Sequence, residues 1–377
     1  MGSAVMIIVG ANNIISPLGW TSEENYKNVI AGKSGISIQD NTELSDAAFP
    51  VALIDNNILA TALDANMDIK GYSRLEQLSI LSLKEVVSSV DVKSPETGFI
   101  FSTTKGNVEY LNSDAGNQGL YLAHTAQNIA DYFGFVSTPY VISNACISGV
   151  AALVTAKRLI SSGIYNNVVI LGADILSKFV VSGFQSFQSL SAEPCKPYDA
   201  NRDGLSLGEA VASVVISKTD GQVKNGAVEL VNGAISNDAN HISGPSRTGE
   251  GLFRAIQQTL KDGGNVDVIS SHGTATPYND DMESHAISRS GFSEVPVSGL
   301  KGYFGHTLGA AGVLESIISI CGLKENKIIA TKGLQQQGVV EPITVATENI
   351  TAPIRGLLKL MSGFGGCNAA VYFKKHE

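Results

Sequence analysis

Short apolar runs rich in β-branched residues recur along the chain: VMIIVGA near the start, then ETGFIFST, NVVILGAD, AVASVVIS, VDVISSHG and PITVAT, and LLKLMSGFGGCNAAVYF towards the end. Several are almost continuously hydrophobic, a pattern that predicts strands covered on both faces. Between them the apolar positions change to helical spacing. TSEENYKNVIAGKSG sets Thr21 and Glu24 at capping-box distance and offers Gly32 as a stop, and GEGLFRAIQQTLKDGG closes on Gly263 and Gly264. Strand alternating with helix predicts an α/β layer structure.

One internal echo sharpens that picture. VISNACISGVAALVTAKRLISSG (141–163) reads as strand, turn, cysteine, small-residue helix and glycine. VPVSGLKGYFGHTLGAAGVLESIISICGL (295–323) follows the same plan, with His306 where Cys146 stood. The alanines and glycines of each helix would let a partner approach closely. The echo predicts two similar halves, 1–225 and 226–377, that bring two helix N-termini to a common centre.

Composition removes several classes of function. A formal net charge of −9 argues against a general nucleic-acid binder. Cys146, Cys195, Cys321 and Cys367 are far apart and form no Cys-x-x-Cys pair, so neither a zinc site nor a disulfide framework is indicated. The uncharged stretch between Asp131 and Lys157 is long enough for a membrane span, but Pro139, Asn144 and Gly149 break it. MGSAVMIIVGANN reads as a first strand and not as a signal peptide. The expectation is a soluble cytoplasmic protein.

Cys146 is the first candidate for chemistry. A thiol at a helix N-terminus faces unpaired N–H groups, which lower its pKa and can later hold an oxyanion; the alternative is a cysteine packed as a small hydrophobe. His272 follows a strand inside the turn-rich SSHGTATP, and His306 precedes a helix with Lys301 five residues upstream. Each alone could be a hydrogen-bonded structural histidine. His124 and His285 fall on helices and His376 in the tail, where structural readings suffice. Together, one cysteine and two histidines at strand–turn positions point to covalent catalysis on a carbonyl carbon. No helical pair of ligands supports a metal. GFGGCN lacks the Gly-Lys-Ser/Thr ending of a phosphate loop and leads into a strand.

Six blocks in order carry a resemblance: NACISGVAAL, KPYDANRDGLSLGEA, SSHGTATPYNDDMES, LKGYFGHTLGAAGVLESI and SGFGGCNAAV, preceded by VGANNIISPLGWTSEENYKNVIAGKSGI. The chain resembles the elongating β-ketoacyl-acyl carrier protein synthases of the thiolase-fold superfamily. That resemblance implies an α/β thiolase-like fold, with two βαβαβαββ halves in an α-β-α-β-α arrangement. It implies a decarboxylative Claisen condensation between an acyl-enzyme thioester and malonyl-acyl carrier protein, in fatty acid or polyketide/polyene synthesis. Cys146 would be the nucleophile. His272 and His306 would promote decarboxylation and steady the enolate by donating from Nε2, with Lys301 as electrostatic support and Glu315 in the polar network below. Thr274 and Thr276 would touch the pantetheine arm. Phe364 would gate the pocket, and its N–H with that of Cys146 would form the oxyanion hole. The family works without metal or other cofactor, uses an acyl carrier protein as partner and is homodimeric, with heterodimerisation with a related subunit as the alternative.

The chain departs from the family pattern at several points. Lys105, in FSTTKGNVEYLN, replaces a small or aliphatic residue of the acyl pocket; it points to solvent or makes the pocket short or polar. In GYSRLEQLSIL, Arg74 remains, but Leu75 and Leu78 stand where basic residues that dock the carrier are common. Cys367 takes the place of a threonine, and Val211 follows GEA where a glycine-containing turn is frequent. Two other readings compete: a thiolase, with Cys367 as a second catalytic cysteine, and a non-elongating partner subunit resembling a chain-length factor.

Overall fold

The computed structural model describes residues 6–112, 117–219, 221, 223–240 and 244–377, so Val5 of the first apolar run lies outside the described residues. Among the described residues, ten segments pair into one sheet. They are β1 (Met6–Ile15), β2 (Thr97–Ser102), β3 (Tyr140–Ile142), β4 (Asn167–Asp174), β5 (Ala210–Thr219), β6 (Val228–Asn237), β7 (Val268–Ser270), β8 (Val297–Ser298), β9 (Gly356–Gly363) and β10 (Cys367–Lys375). Their order is β3-β2-β4-β5-β1-β6-β10-β9-β7-β8. From either edge to the middle the pairings run parallel, parallel, antiparallel, antiparallel. At the centre β1 meets β6 through one residue pair, Ile8 with Glu229.

The small-residue helix predicted after Cys146 spans Ser148–Ser161, and its counterpart spans Ala311–Glu325. Neither has a polar face wide enough for solvent. Both are buried between the two ends of the sheet: the first packs on β2 and β4 at one end and on β6 and β10 at the other. The second touches β4 and β5, then β7 and β9. The helices Arg74–Lys84 and Leu122–Phe133 cover one outer face, and Glu250–Thr259 covers the other. Three apolar clusters follow from this stacking. Val150, Ile170, Val313 and Ile317 lie in the middle; Leu75, Leu78, Phe99 and Leu171 lie on one side, and Leu252, Ile256, Ile269 and Leu358 on the other. The arrangement is the α-β-α-β-α layering of the thiolase-like fold.

The two central helices meet at their N-terminal ends, backbone against backbone. A β-carbon on Gly149 would lie 2.7 Å from the Val313 nitrogen and 2.8 Å from Gly312 Cα; one on Gly312 would lie 2.4 Å from the Val150 nitrogen. No side chain fits between them, so the small residues of both helices set how closely the two halves approach.

Three sequence expectations change here. PITVAT is not a strand: only Val345 bridges to Val297, because its neighbour β8 is two residues long and gives it no further edge to pair with. The long terminal run divides into β9 and β10 at Phe364-Gly365-Gly366, where both glycines take positive φ. Leu75 and Leu78 are not a weakened docking patch; they face the core, and the Arg74 guanidinium forks onto the buried Glu209 carboxylate at 2.8 and 2.9 Å.

Gly312→Ala should cost about 1–3 kcal/mol of stability through overpacking. Gly183→Ala, on an open helical position, should be neutral or stabilising by up to about 1 kcal/mol. Urea midpoints of the two variants check the contrast.

Candidate active site

Cys146 sits at a sharp turn between β3 and the helix Ser148–Ser161. Ala145 takes φ +44, a left-handed conformation that a residue with a β-carbon adopts only when its surroundings enforce it. Ser148 supplies that enforcement: its Oγ accepts the Asn144 N–H at 2.8 Å and donates to the Ala145 carbonyl at 2.6 Å. Gly363 closes against the turn, since a β-carbon there would lie 3.0 Å from the Cys146 nitrogen. The next residue's N–H, from Phe364, is aimed at the Cys146 sulfur. The Phe364 N–H and the Cys146 backbone nitrogen thus lie against the same turn.

The resting thiol is not acidic. Burial pushes Cys146 up to about 11, and the charge of Lys301, the Phe364 N–H and the charge of Lys105 only partly offset it. The expectation from the helix N-terminus is corrected: desolvation outweighs the local positive field, so the thiol must lose its proton to a base during the reaction. Lys105 itself is exposed and does not line the cavity.

The two imidazoles divide the work between them. The His306 backbone is fixed by its N–H to the Ser206 carbonyl at 2.7 Å and by its carbonyl, which accepts the Gly208 N–H at 3.1 Å. Its Nδ1 accepts the Leu308 N–H at 3.1 Å, so the ring proton is on Nε2, which is buried and without a partner among the described residues. His272 is held differently: its Nδ1 lies 3.3 Å from the Met361 sulfur, a contact that is a hydrogen bond only in the tautomer with the proton on Nδ1 and a lone pair on Nε2. The rings stand 5.2 Å apart at 83°, and the sulfur and ring nitrogens converge within 4.8 Å. Burial first, then the nearby lysine charges, holds both imidazoles well below the usual histidine range, so both are neutral.

Lys301 and Glu315 lie behind them in a fully buried pair at 2.7 Å. Thr274 and Thr276 line the cavity with hydroxyls 2.8 Å apart, and the Thr274 N–H donates to Asp280. Phe364 packs on Phe184 and Phe187, with ring centroids 5.7 and 5.3 Å away. The cavity, about 490 Å³, runs from Cys146, His272 and His306 out to Tyr278 at the surface. Cys367 donates to the Phe364 carbonyl at 3.2 Å, and burial pushes its thiol to about 12, which keeps it protonated and unavailable as a base. His124 lies exposed on a helix, while His285 and His376 pair with Glu341 and Glu229.

Sequence reasoning missed Lys359, Met361, Asp280 and Glu283. A lone lysine inside LLKLMS signals a buried charge that needs a partner. Asp280 and Glu283, three apart on the helix Pro277–Arg289, share one face directly behind His272.

A cysteine and two neutral imidazoles at the inner end of a cavity that opens to the surface define a thiol-dependent acyltransferase. Residues 89–221 match the β-ketoacyl synthase N-terminal domain and residues 227–335 its C-terminal domain. The chain belongs to the β-ketoacyl synthase family, whose reaction is acyl condensation. It is 27% identical to a putative mitochondrial 3-oxoacyl-[acyl-carrier-protein] synthase of Schizosaccharomyces pombe, over 98% of this chain and 99% of that one. The fold superposes on a β-ketoacyl synthase from Burkholderia phymatum with a TM-score of 0.88 (22% identity; 99% and 100% of the two chains). It also superposes on a ketosynthase solved in complex with its chain length factor, from Xenorhabdus doucetiae, with a TM-score of 0.86 (23% identity, 98% of each chain).

Because thiolate, not thiol, is alkylated, the iodoacetamide rate at Cys146 should rise about tenfold per pH unit through pH 9 and 10. Peptide mass spectrometry follows it; a plateau below pH 8 would contradict the high pKa.

Proposed function

We propose that the chain elongates acyl groups with malonyl-acyl carrier protein, and that Cys146, His272 and His306 carry the two half-reactions. The observation behind this reading is the convergence of the Cys146 sulfur and the two buried imidazoles within 4.8 Å, with a His306 Nε2 that has no partner among the described residues. In acyl transfer, His272 Nε2 takes the thiol proton, the sulfur attacks the carrier-bound thioester, and the proton passes to the departing carrier thiolate. The tetrahedral oxyanion rests on the N–H groups of Cys146 and Phe364. The malonyl thioester then enters through the same cavity past Thr274 and Thr276. Its carboxylate leaves as carbon dioxide, and the enolate oxygen receives the His306 Nε2–H. The enolate carbon attacks the acyl-cysteine carbonyl, the new carbon–carbon bond forms, and the Cys146 thiolate leaves and takes a proton from solvent. Apart from that one proton, every group needed comes from the chain and its two substrates.

The presence of the nucleophile and both imidazoles in one site favours an elongating enzyme over a catalytically silent partner subunit. A thiolase would need Cys367 as a base, a role its buried, carbonyl-bonded thiol does not suit. We further propose a dimer, homodimeric or with a related subunit, formed along β3: this strand ends the sheet, and Tyr140 on it is exposed. The ketosynthase solved with a chain length factor supports the heterodimeric form. Among the described residues no helix is long and apolar enough to cross a membrane, and the described cysteines are all free thiols, which supports a cytoplasmic setting.

Cys146→Ala should abolish condensation, measured as carrier-bound product by mass spectrometry; a variant that still elongates at the wild-type rate overturns the assignment. His306→Ala should slow malonyl decarboxylation about 10²–10³-fold while acylation of Cys146 falls far less. Equal losses in both half-reactions would remove His306 from the proposed role.

A further inference from the structure

Lys359 is a lone charge in the apolar strand β9, fully buried, and the reaction as described does not use it. Its Nζ donates to the Ser271 carbonyl at 2.9 Å and to Glu315 Oε2 at 2.5 Å. Lys301 does the same one residue further on, to the His272 carbonyl at 2.6 Å and Glu315 Oε1 at 2.7 Å. On the other side, Glu283 accepts the His272 N–H at 2.6 Å and the Gly273 N–H at 2.8 Å, one with each oxygen. Both peptide units that flank His272 are thus held at both ends. One carboxylate grips the two N–H groups, two ammonium groups grip the two carbonyls, and a second carboxylate joins the ammonium groups. Met361, two residues beyond Lys359 and so on the same face of β9, places its sulfur 3.3 Å from His272 Nδ1.

We propose that Lys359 is a positioning residue for the condensation: it completes the clamp that aims the His272 lone pair, and its charge helps to keep both imidazoles neutral. Lys301 can satisfy only one of the two carbonyls, so without Lys359 the Ser271 carbonyl is left buried and unpaired. Ionisable groups surround the imidazoles on several elements: Asp174 on β4 accepts the Gly309 N–H just beyond His306, and Asp203 and Asp238 line the same cavity. Cys146 faces the imidazoles from the turn before its helix, Glu315 from the helix Ala311–Glu325, Asp280 and Glu283 from the helix Pro277–Arg289, and Lys301 from the turn before His306. Tyr198 bonds Glu283 from behind. Glu315 is shared by two cations, so the pair of lysines keeps a positive field at the rings. Lys359 acts on both of them, and on His272 it adds to Lys301 and His306.

The proposal rests on the roles assigned to His272 and His306 above, and its test separates the two. In Lys359→Met, kcat for condensation should fall roughly tenfold with KM for the malonyl carrier within about twofold, because aim and not binding is lost. The acid-side inflection of the pH–rate profile should move up by about half a pH unit or more, since removing a nearby cation makes the imidazoles easier to protonate. Lys359→Arg, which keeps the charge, should hold the wild-type inflection. A purely structural lysine would lower the amount of active enzyme and leave the inflection in place, and that result overturns the proposal. If the methionine variant does not fold, Lys359→Gln takes its place: its amide can still donate to the Ser271 carbonyl but carries no charge, so the acid-side inflection should again move up. An inflection that stays at the wild-type position overturns the proposal as well. Either negative result leaves the condensation itself intact, whereas an active Cys146→Ala enzyme would refute the reading beneath.

Discussion

The contact on which the site depends is the crossing of two helices at Gly149 and Gly312. Because nothing larger than hydrogen fits between them, the N-terminal ends of the two central helices are fixed relative to one another. Cys146 lies just before one of those ends and His306 before the other. Cys146 and His306 are therefore placed by a packing constraint some residues away, and neither has to find the other through a flexible loop. The two sheet ends close over both helices, and burial is the largest influence on the protonation of the groups inside.

That burial has an electrostatic price, met by arranging charges in layers. The reacting groups are neutral at rest: a thiol and two imidazoles. The charged groups (Lys301, Lys359, Glu315 and Glu283) lie behind them, each bonded to another charge or to a backbone polar group. A neutral front with a fixed ionic backing suits a reaction in which negative charge appears briefly on substrate oxygen. The fixed dipoles and charges meet it without reorganising.

Much of the fold was legible because both sheet ends are covered. Doubly buried strands are continuous apolar runs, and an all-round apolar helix with a glycine near its start can only be central. The echo between 141–163 and 295–323 marked that pair of helices. PITVAT misled because β-branched residues favour a strand wherever they occur, while pairing depends on the length of the neighbouring edge. Cys146, His272 and His306 stood out by their place at strand ends. The protonation of the rings did not, since it depends on Leu308 N–H and on Met361, the second of them nearly ninety residues from His272 in the chain. Lys359 was hidden for a similar reason: its partners come from Ser271 and Glu315, and a single lysine in a hydrophobic run gives no clue to either. The acidity assigned to Cys146 failed because a helix N-terminus is visible in sequence whereas the depth of burial is not.

The strand β10 has a consequence for how the molecule is made. It packs on the helix that follows Cys146 and pairs with β6. Until it is in place, that early helix has one greasy flank bare, so the earlier segments cannot wrap it by themselves. Maturation is thereby biased towards a single late closure, and loss of this strand would expose the very surface that the finished enzyme hides most deeply.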